Sequence, residues 1–419
     1  MKTNYKNYNK IAFFLCFLIS FNLSAQWVAQ ISNITANLGS IFFTDLNTGY
    51  AVGDNGAYVK TTDGGTTWTK KDISISGSTY TSKLTKVYFP DADNGFILAG
   101  SAILRTEDAG ESWSKIFDLN GIGGFYSMHF INSSTGCMGA SSVGSWVYTT
   151  TNGGATIGDW TSPTSVGTGS YTSVFMVDAN TIYGVNSTED LSMTTDGTNT
   201  WNVQTFAGFA LKQVVFPSGS TGYVFGSKSS GGYAILKTTN ASATWDTLAM
   251  PSGKVFKTIS FVSTTTGYAF GSGGIVYKTT DGANTWQQET SPVTSLLSST
   301  SFPTSLIGYA AGNGGTIIKL QGPAGISTLK EAINIDKIDI YPNPASTSIS
   351  LGIHSDKTEV AKIILTDLLG KKLFYIETAN LVSGNYNKTV DVSDLDSGTY
   401  LIEVKTNNGT VGKKLIVCK

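Results

Sequence analysis

The residues best suited to chemistry in this sequence are aspartates that recur inside one nine-residue stretch. It reads KTTDGGTTW at 60–68, RTEDAGESW at 105–113, MTTDGTNTW at 193–201 and KTTDGANTW at 278–286. Two further copies, KTTNASATW at 237–245 and the longer TTNGGATIGDW at 150–160, carry asparagine instead. Carboxylates act as general acids or nucleophiles in glycoside hydrolysis, so the repeated aspartate is the first candidate catalyst.

The same position also has a structural interpretation. An aspartate or asparagine accepts hydrogen bonds from backbone N–H groups of its own turn, glycine permits a positive φ, and tryptophan covers the turn. Asn152 and Asn240 could brace a turn but could not replace a catalytic acid. We therefore predict no catalytic residue here. The predicted bracing residues are Thr61, Asp63, Gly65, Trp68, Thr106, Asp108, Gly110, Trp113, Asn152, Trp160, Asp196, Trp201, Asn240, Trp245, Asp281 and Trp286.

The chain offers little other material for a charged site. Arg105 is its single arginine, and His129 and His354 are its two histidines. The net charge is −1, without a basic stripe to meet phosphates, so nucleic acid is not an expected partner. Several acids lie outside the repeated stretch, and the sequence does not show which of them pair: Asp54, Asp118, Asp159, Glu189, Asp190 and Glu289.

Metal and ligand sites are equally sparse. Cys137 and Cys418 lack the spacing of a metal site, and we predict neither a metal nor a cofactor. DADNG at 91–95 hints at a calcium loop but occupies the place of an ordinary turn in the other repeats. Trp146 stands where other repeats have a small residue such as Ala57. It is either an exposed platform for a sugar ring or a packing residue between repeats.

A second repeat predicts the elements that position these residues. A short turn between two apolar runs recurs as FTDLNTGY, FPDADNGF, FINSSTGC, MVDANTIY, FPSGSTGY, FVSTTTGY and FPTSLIGY, starting at 43, 89, 130, 176, 216, 261 and 302. A spacing of roughly 40 to 46 residues is typical of four-stranded propeller blades. We predict an all-β fold, with a seven-bladed β-propeller over 26–321. Trp27 would lie in the outer strand of the last blade and close the ring.

The two ends of the chain differ from the repeat. Lysines 2, 6 and 10, the apolar run 11–23 and the small residues before 26 predict a secretory signal peptide over 1–25. Residues 322–336 resemble a linker. Alternating apolar residues over 337–419 predict a small immunoglobulin-like β-sandwich.

The tryptophan-ended stretch resembles the Asp box, or bacterial neuraminidase repeat. The longer phrase GYAVGDNGAYVKTTDGGTTW resembles the repeats of the photosystem II stability and assembly factor family, which implies a single seven-bladed propeller. That family's arginine patch has no counterpart here, because Arg105 stands alone. Sialidases, which also carry Asp boxes, hold their substrate with three arginines, so sialidase activity is rejected.

The tail resembles the type A sorting domain of the Bacteroidetes type IX secretion system. The matching residues are Tyr341, Pro342, Asn343, Pro344, Gly370, Gly398, Tyr400, Lys413 and Lys414. The resemblance implies export across both membranes, contact with the secretion machinery and its sortase, and removal of the tail. The product would be attached to the cell surface or released.

These observations favour a non-catalytic, extracellular or surface-exposed binding or adhesion propeller, monomeric and not integral to the membrane. Its ligand would be a glycan or a protein, held by interblade loops and by loops 140–146, 184–190 and 226–233. The alternatives are a secreted Asp-box glycoside hydrolase and an assembly factor for an outer-membrane protein complex.

Overall fold

The structure, a computed structural model, describes residues 26–121, 123–142, 144–161, 170–186, 188–321 and 335–419, the last apart from 356–358, 368–371, 382–383 and 407–408. The predicted signal peptide at 1–25 and most of the predicted linker at 322–336 lie outside the described residues. Everything described is built from strands, short 3-10 turns and loops.

The propeller begins with β1 (Gln26–Gln30) and continues through blades of antiparallel strands. Blade 1 contains β2 (Leu38–Phe43), β3 (Gly49–Gly53), β4 (Tyr58–Thr61) and β5 (Thr69–Lys71). A small hairpin, β6 (Ser74–Ile75) with β7 (Ser78–Thr79), precedes blade 2. Blade 2 contains β8 (Lys86–Tyr88), β9 (Gly95–Ala99), β10 (Ala102–Thr106) and β11 (Ser114–Asp118).

Of the next three blades, blade 3 has three strands among the described residues, and blades 4 and 5 have four each. Blade 3 contains β12 (Gly124–Phe130), β13 (Gly136–Ser142) and β14 (Gly144–Thr150). Blade 4 contains β15 (Tyr171–Met176), β16 (Ile182–Asn186), β17 (Asp190–Thr194) and β18 (Asn202–Thr205). Blade 5 contains β19 (Phe209–Val215), β20 (Gly222–Lys228), β21 (Tyr233–Thr238) and β22 (Asp246–Ala249).

Two further blades complete the circle. Blade 6 contains β23 (Phe256–Phe261), β24 (Gly267–Gly271), β25 (Val276–Thr279) and β26 (Gln287–Glu289). Blade 7 contains β27 (Leu297–Ser301), β28 (Gly308–Gly312), β29 (Ile317–Gln321) and, as its outer strand, β1. Short 3-10 turns lie at Asp54–Gly56, Ile157–Asp159, Ser272–Gly274 and Asn313–Gly315.

The sheets form a closed ring. The first strand of each blade contacts the first strand of the next, in the order β2, β8, β12, β15, β19, β23 and β27, and β27 contacts β2. These inner strands surround the axis, which is the geometry of a propeller with a central tunnel. The all-β propeller expected from the repeat is confirmed.

Aromatic stacking joins neighbouring blades. The tyrosine at the start of one blade's second strand stacks on the phenylalanine at the end of the next blade's inner strand, as in Tyr309 on Phe43 (3.7 Å) and Tyr50 on Phe89 (4.0 Å). The glycine before the tyrosine is needed because a Cβ on Gly49 would lie 2.4 Å from the Phe43 ring. The phenylalanine, glycine and tyrosine of this repeat therefore recur because they form the packing between neighbouring blades.

Trp27 lies at the junction of blades 6 and 7. β1 pairs antiparallel with β29, with Trp27 opposite Leu320. The indole is 2% exposed, its Nε1 donates to Glu289 Oε2 (2.8 Å), and its edge meets the ring of Phe270 (5.2 Å between centroids). The first strand of the propeller thus bonds both to the last strand and to the preceding blade.

Blade 3 is described only as far as the residue after its repeat tryptophan. Among the described residues its sheet has three strands, and Thr161 forms a bridge with Thr149, as Thr69 pairs with Lys60 in blade 1. The inserted residues before Trp160 form the 3-10 turn Ile157–Asp159. Residues 162–169 lie outside the described residues.

The tail is a two-sheet antiparallel sandwich. One sheet contains β30 (Ile335–Tyr341), β31 (Ser348–Ser355) and β34 (Gly384–Asp391). The other contains β32 (Glu359–Asp367), β33 (Lys372–Leu381), β35 (Gly398–Thr406) and β36 (Gly409–Val417), in the order β33-β32-β35-β36. Buried side chains such as Leu351, Ile363 and Ile402 fill the space between the sheets.

We predict that Trp27→Ala lowers the free energy of unfolding by about 3–5 kcal/mol, because it removes a buried aromatic side chain from the ring closure. Trp27→Phe keeps most of the packing but loses the bond to Glu289, so it should cost about 1–2 kcal/mol. Urea unfolding followed by tryptophan fluorescence measures both variants. Equal stability of Trp27→Ala and the unaltered protein would contradict a closing role.

Candidate functional site

Asp63 lies in the tight turn between β4 and β5. Thr61 Oγ1 donates to Asp63 Oδ1 (2.8 Å) and accepts the Gly65 N–H (2.9 Å). Asp63 accepts from the Thr67 backbone N–H (2.9 Å) and the Thr67 hydroxyl (2.6 Å). Gly65 has φ +81°, a conformation that glycine adopts without strain. The carboxylate is therefore engaged within its own turn, and Trp68 beside it is 1% exposed.

The same bonds recur in other blades. Asp108, Asp196 and Asp281 each accept from the threonine two positions before and from both the backbone N–H and the hydroxyl of the residue four positions after. The associated tryptophans, Trp113, Trp160, Trp201, Trp245 and Trp286, are buried or half-buried. The equivalent position thus has one local bonding pattern in blades 1, 2, 4 and 6.

Asparagine fills this position in two ways. Asn240 accepts from the Thr238 hydroxyl (2.9 Å) and the Thr244 N–H (3.0 Å), and its amide Nδ2 donates to Thr244 Oγ1 (2.9 Å). In blade 3, Asn152 Nδ2 instead donates to Asp159 Oδ1 (2.8 Å). The insertion before Trp160 brings Asp159 into the turn, where it accepts the bond from the asparagine amide that Thr244 accepts in blade 5.

The turns also join neighbouring blades. Tyr50 donates its hydroxyl to Ala109 O (2.9 Å), and Tyr58 donates to Gly110 O (2.9 Å), so blade 1 holds the turn of blade 2. Tyr309 of blade 7 donates to Gly64 O of blade 1 (2.8 Å). Each of these turns therefore shapes a hairpin and supplies the carbonyls that anchor the adjoining blade.

The hydrogen bonds govern the acidity of the turn aspartates. Partial burial alone would raise the pKa of Asp108, but the bonds from Ser112 and Thr106 lower this pKa to about 2. The bonds from Thr285 and Thr279 likewise lower the pKa of Asp281 to about 2. These carboxyls are ionised at neutral pH, whereas a general acid in glycoside hydrolysis needs a raised pKa.

The six scattered acids are also bonded to nearby protein groups. Each accepts from at least one neighbour: Asp54 from Asn37, Asp118 from Ser101, Asp159 from Thr156, Glu189 from the Gly208 N–H, Asp190 from Thr205 and Glu289 from Trp27. The pKa values of Asp54, Asp118 and Asp159 are all lowered, chiefly by bonds from Lys83, from Lys115 and from the Thr156 N–H, respectively. The structure thus places these acids in separate local contacts.

The remaining sequence candidates have ordinary surroundings. Asp91 Oδ1 accepts from the Asp93 and Asn94 N–H groups, as Asp45 does with two N–H groups in blade 1. Within the described residues, no group of three or more His, Cys, Asp or Glu residues could hold a metal. Arg105 bonds to Asn94 and Glu107. Trp146 lies in β14 opposite Ala140, and its side chain is outside the described part of the structure.

Two ionisable residues, to which the sequence assigned no role, lie on the inner strands. Lys86 in β8 and His129 in β12 are both half-buried and lie on adjacent inner strands. Burial and the neighbouring Lys86 charge lower the pKa of His129 to about 4. An alignment of the inner strands would have shown a lysine among serines at one register position.

In the tail, Asn343 connects the YPNP loop to the last strand. Its Nδ2 donates to Lys414 O (2.9 Å), and its Oδ1 accepts the Ile416 N–H (2.7 Å). Tyr341 is 78% exposed, whereas the Tyr400 hydroxyl donates to Asp396 O (2.8 Å). Pro342, Pro344 and Lys413 are exposed, and Gly398 begins β35. Gly370 lies outside the described residues.

Comparison with protein families separates the two units. Residues 339–418 match the secretion system C-terminal sorting domain. The tail is a type IX sorting domain. Residues 19–170 match the Photosynthesis system II assembly factor YCF48 family. This second match spans about a third of the chain and covers the first blades of the propeller.

Solved structures give the same fold for the propeller. YCF48 bound to D1 peptide is 22% identical, with TM-score 0.58, over 70% of this chain and 96% of that one. YCF48 from Cyanidioschyzon merolae is 21% identical, with TM-score 0.57, over 71% of this chain and 99% of that one. The GH74 enzyme of Niastella koreensis is 17% identical, with TM-score 0.55, over 94% of this chain and 75% of that one.

No curated protein matches the chain. Among the described residues, no helix is long and apolar enough to cross a membrane. At these sequence identities, the similarity to the solved structures shows the propeller fold alone and does not indicate an activity.

We predict that acidification removes part of the propeller's stability. Because the folded pKa of Asp108 and Asp281 lies below the unfolded value of roughly 4, their contribution is present above pH 4 and is lost as the pH falls through about 2. Urea unfolding at pH 2–6 should show that acidification lowers the free energy of unfolding less in the double variant Asp108→Asn, Asp281→Asn than in the unaltered protein. The exposed Asp72→Asn is the control, and an identical pH profile for both variants would refute the prediction.

We predict that Asn343→Ala loosens the last strand of the tail. It removes two hydrogen bonds between the YPNP loop and β36, which should cost about 1–3 kcal/mol. Hydrogen exchange followed by mass spectrometry should show faster exchange over 409–418, with Ser348→Ala as a surface control. Unchanged protection of that segment in Asn343→Ala would be the contrary result.

Proposed function

We propose that this protein is a non-catalytic propeller that binds a ligand outside the cell after export by the type IX system. The sorting domain supports export to the extracellular or surface space. The propeller would be the cargo and would act as a binding or adhesion scaffold. The machinery and its sortase would be its partners during delivery, and the ligand would be a glycan or a protein.

The bonding of the carboxylates is the observation that carries the non-catalytic part of this proposal. Wherever a shift in a carboxyl pKa is resolved among the described residues, the shift is downward. Glycoside hydrolysis by two carboxylates needs one proton donor with a raised pKa and a partner several ångströms away across a cleft. The bonded aspartates of the turns fit a brace better than an acid catalyst.

The binding face would be the end of the propeller that carries the loops between second and third strands. In blades 3, 4 and 5 the loops predicted at 140–146, 184–190 and 226–233 are shorter than expected, because strands extend into them from both sides. The flanking strand ends are Ser142 and Gly144 in blade 3, Asn186 and Asp190 in blade 4, and Lys228 and Tyr233 in blade 5. The interblade connections open on the same end. Tyr126, near the start of β12, lies at this end and is 47% exposed. An exposed aromatic ring can stack on a sugar or anchor a protein side chain.

Two other functions have specific support. The GH74 enzyme shares the fold over most of this chain, which keeps a secreted glycoside hydrolase as a candidate. The YCF48 family match over 19–170 favours an assembly factor, whose client here would be an outer-membrane protein complex. Neither likeness identifies residues that perform the role.

We predict that the purified full-length chain binds a defined glycan on an array without releasing reducing sugar from it. Tyr126→Ala should weaken binding about tenfold, because a central aromatic contact contributes more than 1 kcal/mol. Tyr341→Ala removes an even more exposed ring from the tail and serves as the control. Sustained sugar release would favour the hydrolase, and co-purification of a single surface protein without glycan binding would favour the assembly role.

A further inference from the structure

One position on the inner strands links each blade to the next through a side chain. The seven equivalent residues are Ser40, Lys86, Ser127, Ser173, Gln213, Thr258 and Ser299. Five of them accept a backbone N–H from the following blade, at 3.0–3.2 Å: Ser40 from Val87, Ser127 from Val174, Ser173 from Val214, Gln213 from Ile259 and Ser299 from Ile41. Side-chain acceptors on one inner strand therefore bond to backbone N–H groups of the next inner strand.

Lys86 breaks this pattern. An ammonium group has three donors and no acceptor, so Lys86 cannot take the Met128 N–H that a serine at position 86 would bond. Among the described residues, no hydrogen bond or ion pair to the Lys86 side chain is formed. The side chain is half-buried on an inner strand, and burial lowers the pKa of its ammonium group. A desolvated ammonium without a partner is costly, and a bound anion would offset that cost.

His129 adds a third donor beside Lys86. Its Nδ1 accepts the Met176 N–H (3.3 Å), which assigns the ring proton to Nε2. The ring is held against Phe175 (4.1 Å between centroids). With a pKa of about 4, the imidazole is neutral at pH 7, so it contributes an N–H donor and no charge.

The charges around the tunnel have one sign. The seven inner strands contain no Asp or Glu, although the whole chain has a net charge of −1. They carry three lysines: Lys86, which begins β8, and the exposed Lys212 and Lys257, which lie in the middle of β19 and near the start of β23. An anion close to the inner strands would meet a positive potential.

We propose that the Lys86 ammonium, the Met128 amide and the His129 Nε2–H form a binding site in the tunnel for one carboxylate group. A single formal positive charge matches a monoanion, and three donors suit the two oxygens of a carboxylate. A phosphate dianion would exceed the charge that the site can balance. The site is independent of the ligand on the loop face, because it depends only on the inner strands.

The chain's two histidines make the site directly measurable. A long-range ¹H–¹⁵N spectrum of the full-length protein shows two imidazoles, and His354→Gln identifies the His129 signals. Titration with sodium acetate at constant ionic strength should shift the His129 Nε2 resonance with saturation and leave His354 unmoved. Sodium phosphate at the same concentration should change the His129 Nε2 resonance by no more than a tenth of the change that acetate produces.

Two variants test the role of Lys86. Lys86→Ser supplies the acceptor that other blades use, so it should fold with an unchanged or higher Tm while the acetate affinity falls at least tenfold. Lys86→Met removes the charge without adding an acceptor and should lose acetate binding to the same extent. Lys212→Ser, which removes an exposed lysine from another inner strand, should reduce the affinity less than threefold. No saturable shift in the unaltered protein, or full acetate affinity in Lys86→Ser, would overturn the site.

Discussion

The pairing of β1 with β29 is the constraint on which the propeller depends. A ring of wedge-shaped sheets leaves two exposed edges until its last sheet is joined to its first segment. Here β1 supplies the outer strand of blade 7, and Trp27 bonds to Glu289 of blade 6. Strand pairing, aromatic packing and one buried hydrogen bond therefore act together at a single seam, and the remaining blades are held in register by contacts with their neighbours.

Those neighbour contacts reuse two short motifs. The tyrosine of the Gly-Tyr pair stacks on the next blade's phenylalanine, and its hydroxyl reaches a carbonyl of the next blade's turn, as Tyr309 does with Phe43 and Gly64. The aspartate within the turn keeps that carbonyl in place by bonding to its own backbone. The aspartate is a residue type suited to acid catalysis, but here its carboxylate has a structural role, because it accepts hydrogen bonds from residues of its own turn.

The repeat made much of the fold predictable. Periods of strand and turn are local, and the Phe, Gly-Tyr and Trp positions recur at even spacing, so the propeller and its internal register follow from pattern alone. In blade 3 an insertion before Trp160 adds the 3-10 turn Ile157–Asp159, and Thr161 still pairs with Thr149. The insertion was visible in the sequence, but the conformation of the added turn was not.

The tunnel residues were harder to predict. Lys86 follows Thr85 in a stretch that reads like any apolar strand, and its environment is set by Met128 and His129 on another blade, about one repeat away. Asn343 is a similar case, since its partners in β36 are 71 and 73 residues distant. The repeat aligns Lys86 with serines of other blades, but it does not show what surrounds the side chain. The Asn343 contacts follow no repeat, so spacing does not reveal them.

The seam also sets an order of events along the chain. Gln26 lies opposite Gln321, so the first and last residues of the propeller meet at the same end of one sheet. Because synthesis runs from the amino end, β29 is the last propeller strand to be made. The ring therefore stays open until residue 321 is available to pair with Gln26.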